Sequence, residues 1–253
     1  SAFIQNRFGP NRVGPLGLTQ LLADAVKFIF KEEFIPEKGR AFIFYAAPVV
    51  ALLPATLAFV SLPLSAPVNV EAFEMFGQNW GPYTFQFQGF DFGLGIVYVL
   101  GVSSLATYSM LMAGWGSSNK FSLFGGLRAS AQMISYELAL GLSIVGILIL
   151  YGTFDFKTMI AAQQGALSFH FFGELVTIPF LPNWGIFYQP LGAILFLVAV
   201  FAESNRLPFD LPEAESELVA GYHTEYGGMK FNMFFIGEYG HMLVASALMA
   251  IFY

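Results

Sequence analysis

The sequence contains no cysteine and few charged residues: only 11% of its 253 residues are Asp, Glu, Lys or Arg. Without cysteine the chain cannot form disulfides, thiolate metal sites or cysteine-held iron–sulfur clusters. A soluble globular domain usually carries about 25% charged residues, whereas here 56% of residues are hydrophobic and the mean hydropathy is +0.64. These proportions indicate a protein whose main solvent is lipid. The net charge of −6 argues against a nucleic-acid-binding protein.

Histidine is also rare, and its positions restrict the redox chemistry. His170, His223 and His241 are the three histidines, and of these only His241 lies in an apolar segment. This pattern disfavours a haem held by two histidines inside the membrane. We therefore expect this chain alone to bind no cofactor and no metal, and any electron carrier to belong to a partner.

Long apolar runs are what the sequence does contain, and five of them can cross a hydrocarbon core of about 30 Å as helices. The runs do not alternate apolar and polar residues as membrane β-strands do. Because backbone groups in lipid must bond internally, the sequence predicts an all-α, polytopic transmembrane helix bundle. The predicted spans are residues 41–64, 92–114, 129–154, 184–202 and 231–253.

Lysine and arginine are distributed unevenly between the loops. Ten of them lie in residues 1–40, 115–128 and 203–230, whereas residues 65–91 and 155–183 hold only Lys157. The positive-inside rule then predicts that the first three segments are cytoplasmic, and the alternation agrees with five spans. The chain begins without methionine and ends inside an apolar run, so we expect it to be a fragment of a longer protein.

Residues 18–31 predict an amphipathic helix lying in the membrane interface on the cytoplasmic side. Gln20, Asp24, Lys27 and Lys31 recur at helical spacing as one polar stripe, and the remaining residues are mostly apolar. Two interpretations remain open. The helix is either a surface anchor or an element whose polar stripe lines a cavity.

The loop 203–230 is the most acidic stretch of the chain. Asp210 and Glu213 fit a capping box, which predicts a short helix beginning near Leu211; on it Glu213 and Glu217 repel each other at i and i+4. The group is either a solvated acidic face or a set of partly desolvated carboxylates that exchange protons near neutral pH. Its six acids are Glu203, Asp210, Glu213, Glu215, Glu217 and Glu225.

Two further acids lie inside predicted spans. Glu137 is in the third span, where a bare carboxylate costs at least about 2.5–3.5 kcal/mol, and it is therefore expected to face the bundle interior or a hydrated cavity. Glu238 and His241 share one face of the fifth span at i and i+3, where they can share a proton or a hydrogen bond. The alternatives are a structural hydrogen bond and a proton path continued by Glu203.

Three stretches resemble one known family. The sequence is similar, along essentially its whole length, to the H subunit of respiratory complex I, which is called subunit 1 in mitochondria. That family has eight membrane helices, and the resemblance implies that this single membrane domain, residues 1–253, lacks the first and the last two. The stretches are QNRFGPNRVGPLGLTQLLADAVKFIFKE (5–32), AGWGSSNKFSLFGGLRASAQMISYEL (113–138) and AESNRLPFDLPEAESELVAGYHTEYGGMKF (202–231).

The resemblance implies a subunit of a proton-translocating NADH–quinone oxidoreductase in the bacterial inner membrane, or in the mitochondrial inner membrane if organellar. Quinone would be the substrate, and partner subunits would carry the iron–sulfur clusters and FMN. Other expected partners are small and antiporter-like membrane subunits and the lipid bilayer. Residues implied to line or support the quinone chamber are Arg7, Asp24, Lys27, Arg206, Phe209 and Asp210. Those implied for the proton path are Glu137, Glu203, Glu213, Glu215, Glu217, Glu225 and Glu238.

Two other functions stay open at this point. One is the related membrane subunit of an energy-converting hydrogenase or formate hydrogenlyase, which works without NADH. The other is a stand-alone secondary transporter, a class that often shows internal repeats, of which we see none. One departure from the family bears on the path: some relatives carry a further acid where this chain has Ser104.

Overall fold

The computed structural model describes residues 6–9, 12–65, 68–70, 73–75, 78–171, 174–206, 208–209 and 219–253. Helices account for most of these residues. The α-helices within these ranges are α1 Gln20–Phe30, α2 Ala41–Ser61, α3 Gly95–Ser103, α4 Leu105–Gly116, α5 Lys120–Tyr151, α6 Phe156–Ala162, α7 Gly185–Tyr188, α8 Pro190–Glu203 and α9 Gly228–Phe252. Single 3₁₀ turns lie at Pro15–Gly17 and Gly221–His223.

Among the described residues, four helical stretches are long and apolar enough to cross a membrane. They are α2, α3 with α4, α5 and α9. Each presents apolar side chains outward, for example Leu142 and Ile149 of α5. The predicted helical membrane fold is therefore confirmed.

The helix α5 begins earlier than its predicted span. Asn119 caps it by accepting a hydrogen bond from the backbone N–H of Phe121 at 3.0 Å, and the left-handed Gly152 ends it. Residues 120–128 are therefore helical and continuous with the apolar part. The prediction of a loop over residues 115–128 was wrong in its extent: only residues 117–119 separate α4 from α5.

The predicted span 184–202 is divided in the structure. The short α7 is followed by α8, which begins at Pro190, a residue that suits a first helical position. The 14 residues of α8 extend roughly 21 Å, which is less than a hydrocarbon core. A fifth membrane crossing thus stays a prediction.

In the part of the chain that the structure describes, three antiparallel strand pairs join the helices at one end of the bundle, and the sequence did not predict them. The strands are β1 Val68–Val70, β2 Phe73–Met75, β3 Gln78–Trp80, β4 Tyr83–Phe85, β5 Ala166–Phe171 and β6 Glu174–Pro182. They pair as β1–β4, β2–β3 and β5–β6. An exposed ion pair between Lys157 and Asp91, with Nζ and Oδ2 2.7 Å apart, lies at the same end.

Small residues let the helices approach closely. A Cβ added to Gly126 of α5 would lie 2.7 Å from the carbonyl oxygen of Met110 in α4, and one added to Gly237 of α9 would lie 2.8 Å from that of Ala51 in α2. Small interface residues are what allows membrane helices to pack without large side chains between their backbones. The result is a bundle in which α2, α4, α5 and α9 are close neighbours.

The segments predicted to be cytoplasmic meet at the opposite end, here called the loop end (residues 31–40, 117–119 and 219–227). The backbone N–H of Arg40 donates to the carbonyl of Gly116 at 3.0 Å, and the Ser118 hydroxyl donates to that of Lys38 at 2.7 Å. The Asn119 amide donates to the Glu225 carboxylate at 2.6 Å. Hydrogen bonds therefore hold all three segments together.

Candidate functional site

The second half of the acidic loop is packed tightly on the helices. Tyr226 stacks on Phe44 with ring centroids 4.1 Å apart, and its hydroxyl donates to the Phe44 carbonyl at 3.2 Å. Burial raises the pKa of the Tyr226 phenol well above its ordinary range, so this donor keeps its proton. The Ser122 hydroxyl donates to the Tyr222 carbonyl at 3.0 Å. Residues 219–227 thus form a fixed plug over the bundle.

The first residues of the same loop are held by one side chain of α5. The amide nitrogen of Gln132 donates to the carbonyls of Ala202 at 2.9 Å and Phe209 at 2.8 Å, and lies 3.2 Å from Oδ1 of Asn205. The Phe209 ring also meets Tyr136 edge to face at 5.4 Å. The predicted chamber residue Phe209 is therefore anchored beside α5.

A small cavity lies between α2, α4, α5, α8 and α9, and it collects ionisable groups that are far apart in sequence. Its volume is about 30 Å³, and about 10–15 Å³ is enough to hold a water molecule. Glu203, Glu238 and His241 all line it. The remaining lining residues are Ala51, Ala106, Ser109, Met110, Met133, Ser204, Asn205, Tyr222, Phe234 and Gly237.

Arg206 supplies a positive charge beside this cavity. Its guanidinium Nη2 lies 3.1 Å from Oε1 of Glu238, whose side chain is only 9% exposed. The guanidinium also lies over the Tyr239 ring, 4.8 Å from its centroid. Pairing of this kind lets a carboxylate stay in apolar surroundings, because an unpaired buried charge is costly. Arg206 is itself about one third exposed; it does not line the cavity but lines a separate groove between α8 and α9, and it reaches the cavity through Glu238.

His241 and Glu137 complete the group in different ways. Nε2 of His241 is shielded from solvent and has no hydrogen-bond partner among the described residues, which fits a ring that faces a water-sized cavity. Glu137 is half-buried on α5 and within electrostatic range of Glu203, although it is not a lining residue. The structure therefore brings together Glu203, Glu238 and His241, with Glu137 nearby.

The other predicted site residues lie elsewhere. Asp24 and Lys27 are exposed on α1, where Asp24 accepts a hydrogen bond from the Gln20 amide at 2.9 Å, and Arg7 is exposed before α1. Glu225 lines a surface groove of the loop end, apart from the cavity. Outside the described residues lie Asp210, Glu213, Glu215, Glu217 and the short helix predicted near Leu211.

A histidine in the loop end and a lysine next to it are buried, which the sequence did not predict. Lys230, in the first turn of α9, is buried and paired with Glu33. His223 is also buried, with Nδ1 3.1 Å from the Ala220 carbonyl and its ring stacked on Phe235. The sequence offers only one indication that they are buried: both residues lie between the acidic run and the last apolar span.

The burial of His223 predicts a pH-dependent loop end. Burial lowers the pKa of His223 from 6.5 to about 4, so the unfolded state binds more protons between these values. The contribution of the neutral His223 to the free energy of unfolding is therefore complete above pH 6.5 and is lost as the pH falls toward 4. The loss between pH 7 and pH 5 is about 2 kcal/mol. Melting curves of the purified protein at these two pH values measure the loss. His223→Gln should flatten the dependence, and an unchanged slope would contradict the assignment.

Known proteins match this chain along its whole length. The family model described as NADH dehydrogenase matches residues 1–253. The chain is 68% identical to the H subunit of NADH-quinone oxidoreductase of Bdellovibrio bacteriovorus over 253 residues, which are all of this chain and 66% of that protein. It is 42% identical to the first of the H subunits of Geobacter metallireducens over 252 residues (100% and 68%) and 41% identical to "NADH-quinone oxidoreductase subunit 8" of Rhodothermus marinus over 250 residues (99% and 64%). The chain thus spans about two thirds of the length of these relatives.

Proposed function

Because this chain belongs to the NADH dehydrogenase family, we propose that it acts as a membrane subunit of a proton-translocating NADH–quinone oxidoreductase. In this role it forms part of the quinone chamber and the start of the acidic path that couples quinone reduction to proton movement. Partner subunits carry the iron–sulfur clusters and FMN, and the loop end faces the cytoplasm. The observation that carries the proposal is the cavity shared by Glu203, Glu238 and His241.

The cavity supports a proton path for a chemical reason. Carboxylates and an imidazole around space for one or two waters can exchange a proton without exposing it to lipid. Glu137 extends the group along α5. The helix break at Ser104, where the Ser103 and Ser104 hydroxyls donate to the carbonyls of Leu100 and Gly101, lies close to the lining residue Ala106.

Arg206 supports the coupling between quinone and path. It belongs to the predicted quinone chamber, and its guanidinium pairs with Glu238 of the cavity. Reducing a quinone to a quinol takes up two protons, and removing them from nearby groups leaves negative charge in a medium of low dielectric constant. Such charge interacts strongly with its neighbours, so the Arg206–Glu238 pair is a direct route by which a change in the chamber alters the cavity.

The chamber itself requires partner subunits in this proposal. Arg206 and Phe209 are held beside α5 and α9, while Asp24 and Lys27 stand on α1, whose last turn contacts α9 through Phe28 and Phe231. Arg7 and Asp210 would join them, and Glu213, Glu215, Glu217 and Glu225 would connect chamber and path. Peripheral subunits would close the remaining sides of this site.

Purification of the full-length protein separates the alternatives. With an affinity tag on this subunit, we expect iron–sulfur proteins, FMN and antiporter-like subunits to co-purify, and the complex to oxidise NADH with quinone as acceptor. A nickel-binding large subunit in the same complex would assign the chain to a hydrogenase. A protein that purifies alone would favour the secondary transporter. Either of these two results would overturn the proposed function.

A further inference from the structure

Lys230 is a lysine in an unfavourable position. It lies in the first turn of α9, where the helix dipole disfavours a positive charge, and its side chain is only 6% exposed. Desolvating an ammonium costs several kcal/mol unless a partner compensates. The groups around Lys230 must therefore supply that compensation, and they show which segments of the chain the lysine connects.

Lys230 finds its partners on two other segments. Nζ lies 3.0 Å from Oε2 of Glu33, which belongs to the connection between α1 and α2 and is 44% exposed. Nζ also lies 4.0 Å from the ring centroid of Tyr45 and 5.3 Å from that of Phe44, both on α2, and aromatic faces attract cations at these distances. Glu33 is the one charged group among these partners, so the ion pair ties the end of α1 to α9.

Two further contacts between the C-terminal end of α1 and the start of α9 do not depend on charge. The rings of Phe28 and Phe231 approach to 6.5 Å. Gly228 has a φ of +58°, and a Cβ there would lie 3.2 Å from the Lys31 carbonyl oxygen, so glycine allows the close approach. By contrast, Leu22 and Val26 of α1 are exposed. Within the described residues, α1 is therefore attached mainly at its C-terminal end.

We propose that the Lys230–Glu33 ion pair is the positioning contact that sets the place of α1, and with it of Asp24 and Lys27, relative to α9 and Arg206. The proposal rests on the proposed function, because it assigns α1 to the quinone chamber. Because α1 is attached mainly at one end, loosening that attachment changes the position of the whole helix, including Asp24 and Lys27. Lys230 and Glu33 do not contact the quinone in this proposal; they determine how well the chamber binds it.

Charge exchange in the assembled complex tests this pair. We expect Glu33→Lys and Lys230→Glu each to raise the KM for a short-chain quinone about tenfold, a loss of about 1.4 kcal/mol, with kcat within about twofold. The double variant should recover most of the loss. Glu32→Gln, which changes an exposed neighbouring carboxylate, is the matched control and should leave both constants unchanged.

A second measurement reports position directly. Residues 1–253 contain no cysteine, so Val26→Cys introduces a thiol at one known position of this segment, and its maleimide labelling should change when Glu33→Gln is added. Glu33→Gln also serves if Lys230 variants fail to assemble, because Glu33 is half-exposed. Unchanged KM and labelling in Glu33→Gln, or a fall in kcat at constant KM, would overturn the proposal. If the complex with the native chain reduces no quinone with NADH, the proposed function fails instead.

Discussion

Glu238→Gln should lower NADH-driven proton translocation and quinone-reductase turnover by about 10²-fold or more, because proton transfer through a positioned side chain commonly contributes about 10²–10⁴-fold. The substitution keeps the size of the side chain but removes the charge that pairs with Arg206 at 3.1 Å. It also removes one of the carboxylates of the cavity. The measurement is quinone reduction by the purified complex in vesicles, with acidification followed by a pH-sensitive dye.

Three further variants show whether the effect is specific to the acids of the cavity. Glu203→Gln should have a similar effect, because Glu203 lines the same cavity, and Glu137→Gln tests the neighbouring group on α5. Asp91→Asn is the control, since it removes an acid from an exposed ion pair at the opposite end, where such pairs contribute little. Wild-type turnover and pumping in Glu137→Gln would take Glu137 off the path. Wild-type turnover and pumping in both Glu238→Gln and Glu203→Gln would contradict the proton path.

Gly125→Ala should destabilise the protein by about 1–3 kcal/mol, the usual cost of overpacking, and we expect the upper part of that range. A Cβ at Gly125 would lie 2.7 Å from Cα and C of Gly221 and from N of Tyr222. These are backbone atoms of the plug, so no side chain can rotate away, and residues 219–227 must shift. Tyr222 lines the cavity, and activity should fall as well. The melting temperature should drop by roughly 5–10 °C.

The same helix provides a matched control for this substitution. Gly141 is also in α5, and a Cβ added there meets no atom within 4 Å. Gly141→Ala should therefore be neutral, or stabilising by up to about 1 kcal/mol because alanine favours the helix. If the two variants melt at the same temperature, the close approach of Gly125 to the plug is not what holds the loop end together.

Local patterns were enough to predict the helical membrane fold. Apolar runs such as residues 41–64 specify helices because lipid leaves the backbone no other partner, and the polar stripe from Gln20 to Lys31 predicted the amphipathic α1. The start of α5 was missed because residues 120–128 are not apolar enough to indicate a span, although Asn119 caps them. Strands of three residues carry too little pattern to be recognised.

Sequence alone thus determined the class of solvent, the helical membrane fold and the presence of acids in costly surroundings, because hydropathy and charge act locally along the chain. Only the tertiary structure decided which of those acids meet. It placed Glu203 with Glu238 and His241, left Glu225 in a separate groove, and paired Lys230 with Glu33 nearly two hundred residues away. Such contacts depend on how helices pack against one another, and that packing follows from the fit of small residues such as Gly126 and Gly237 against distant backbone.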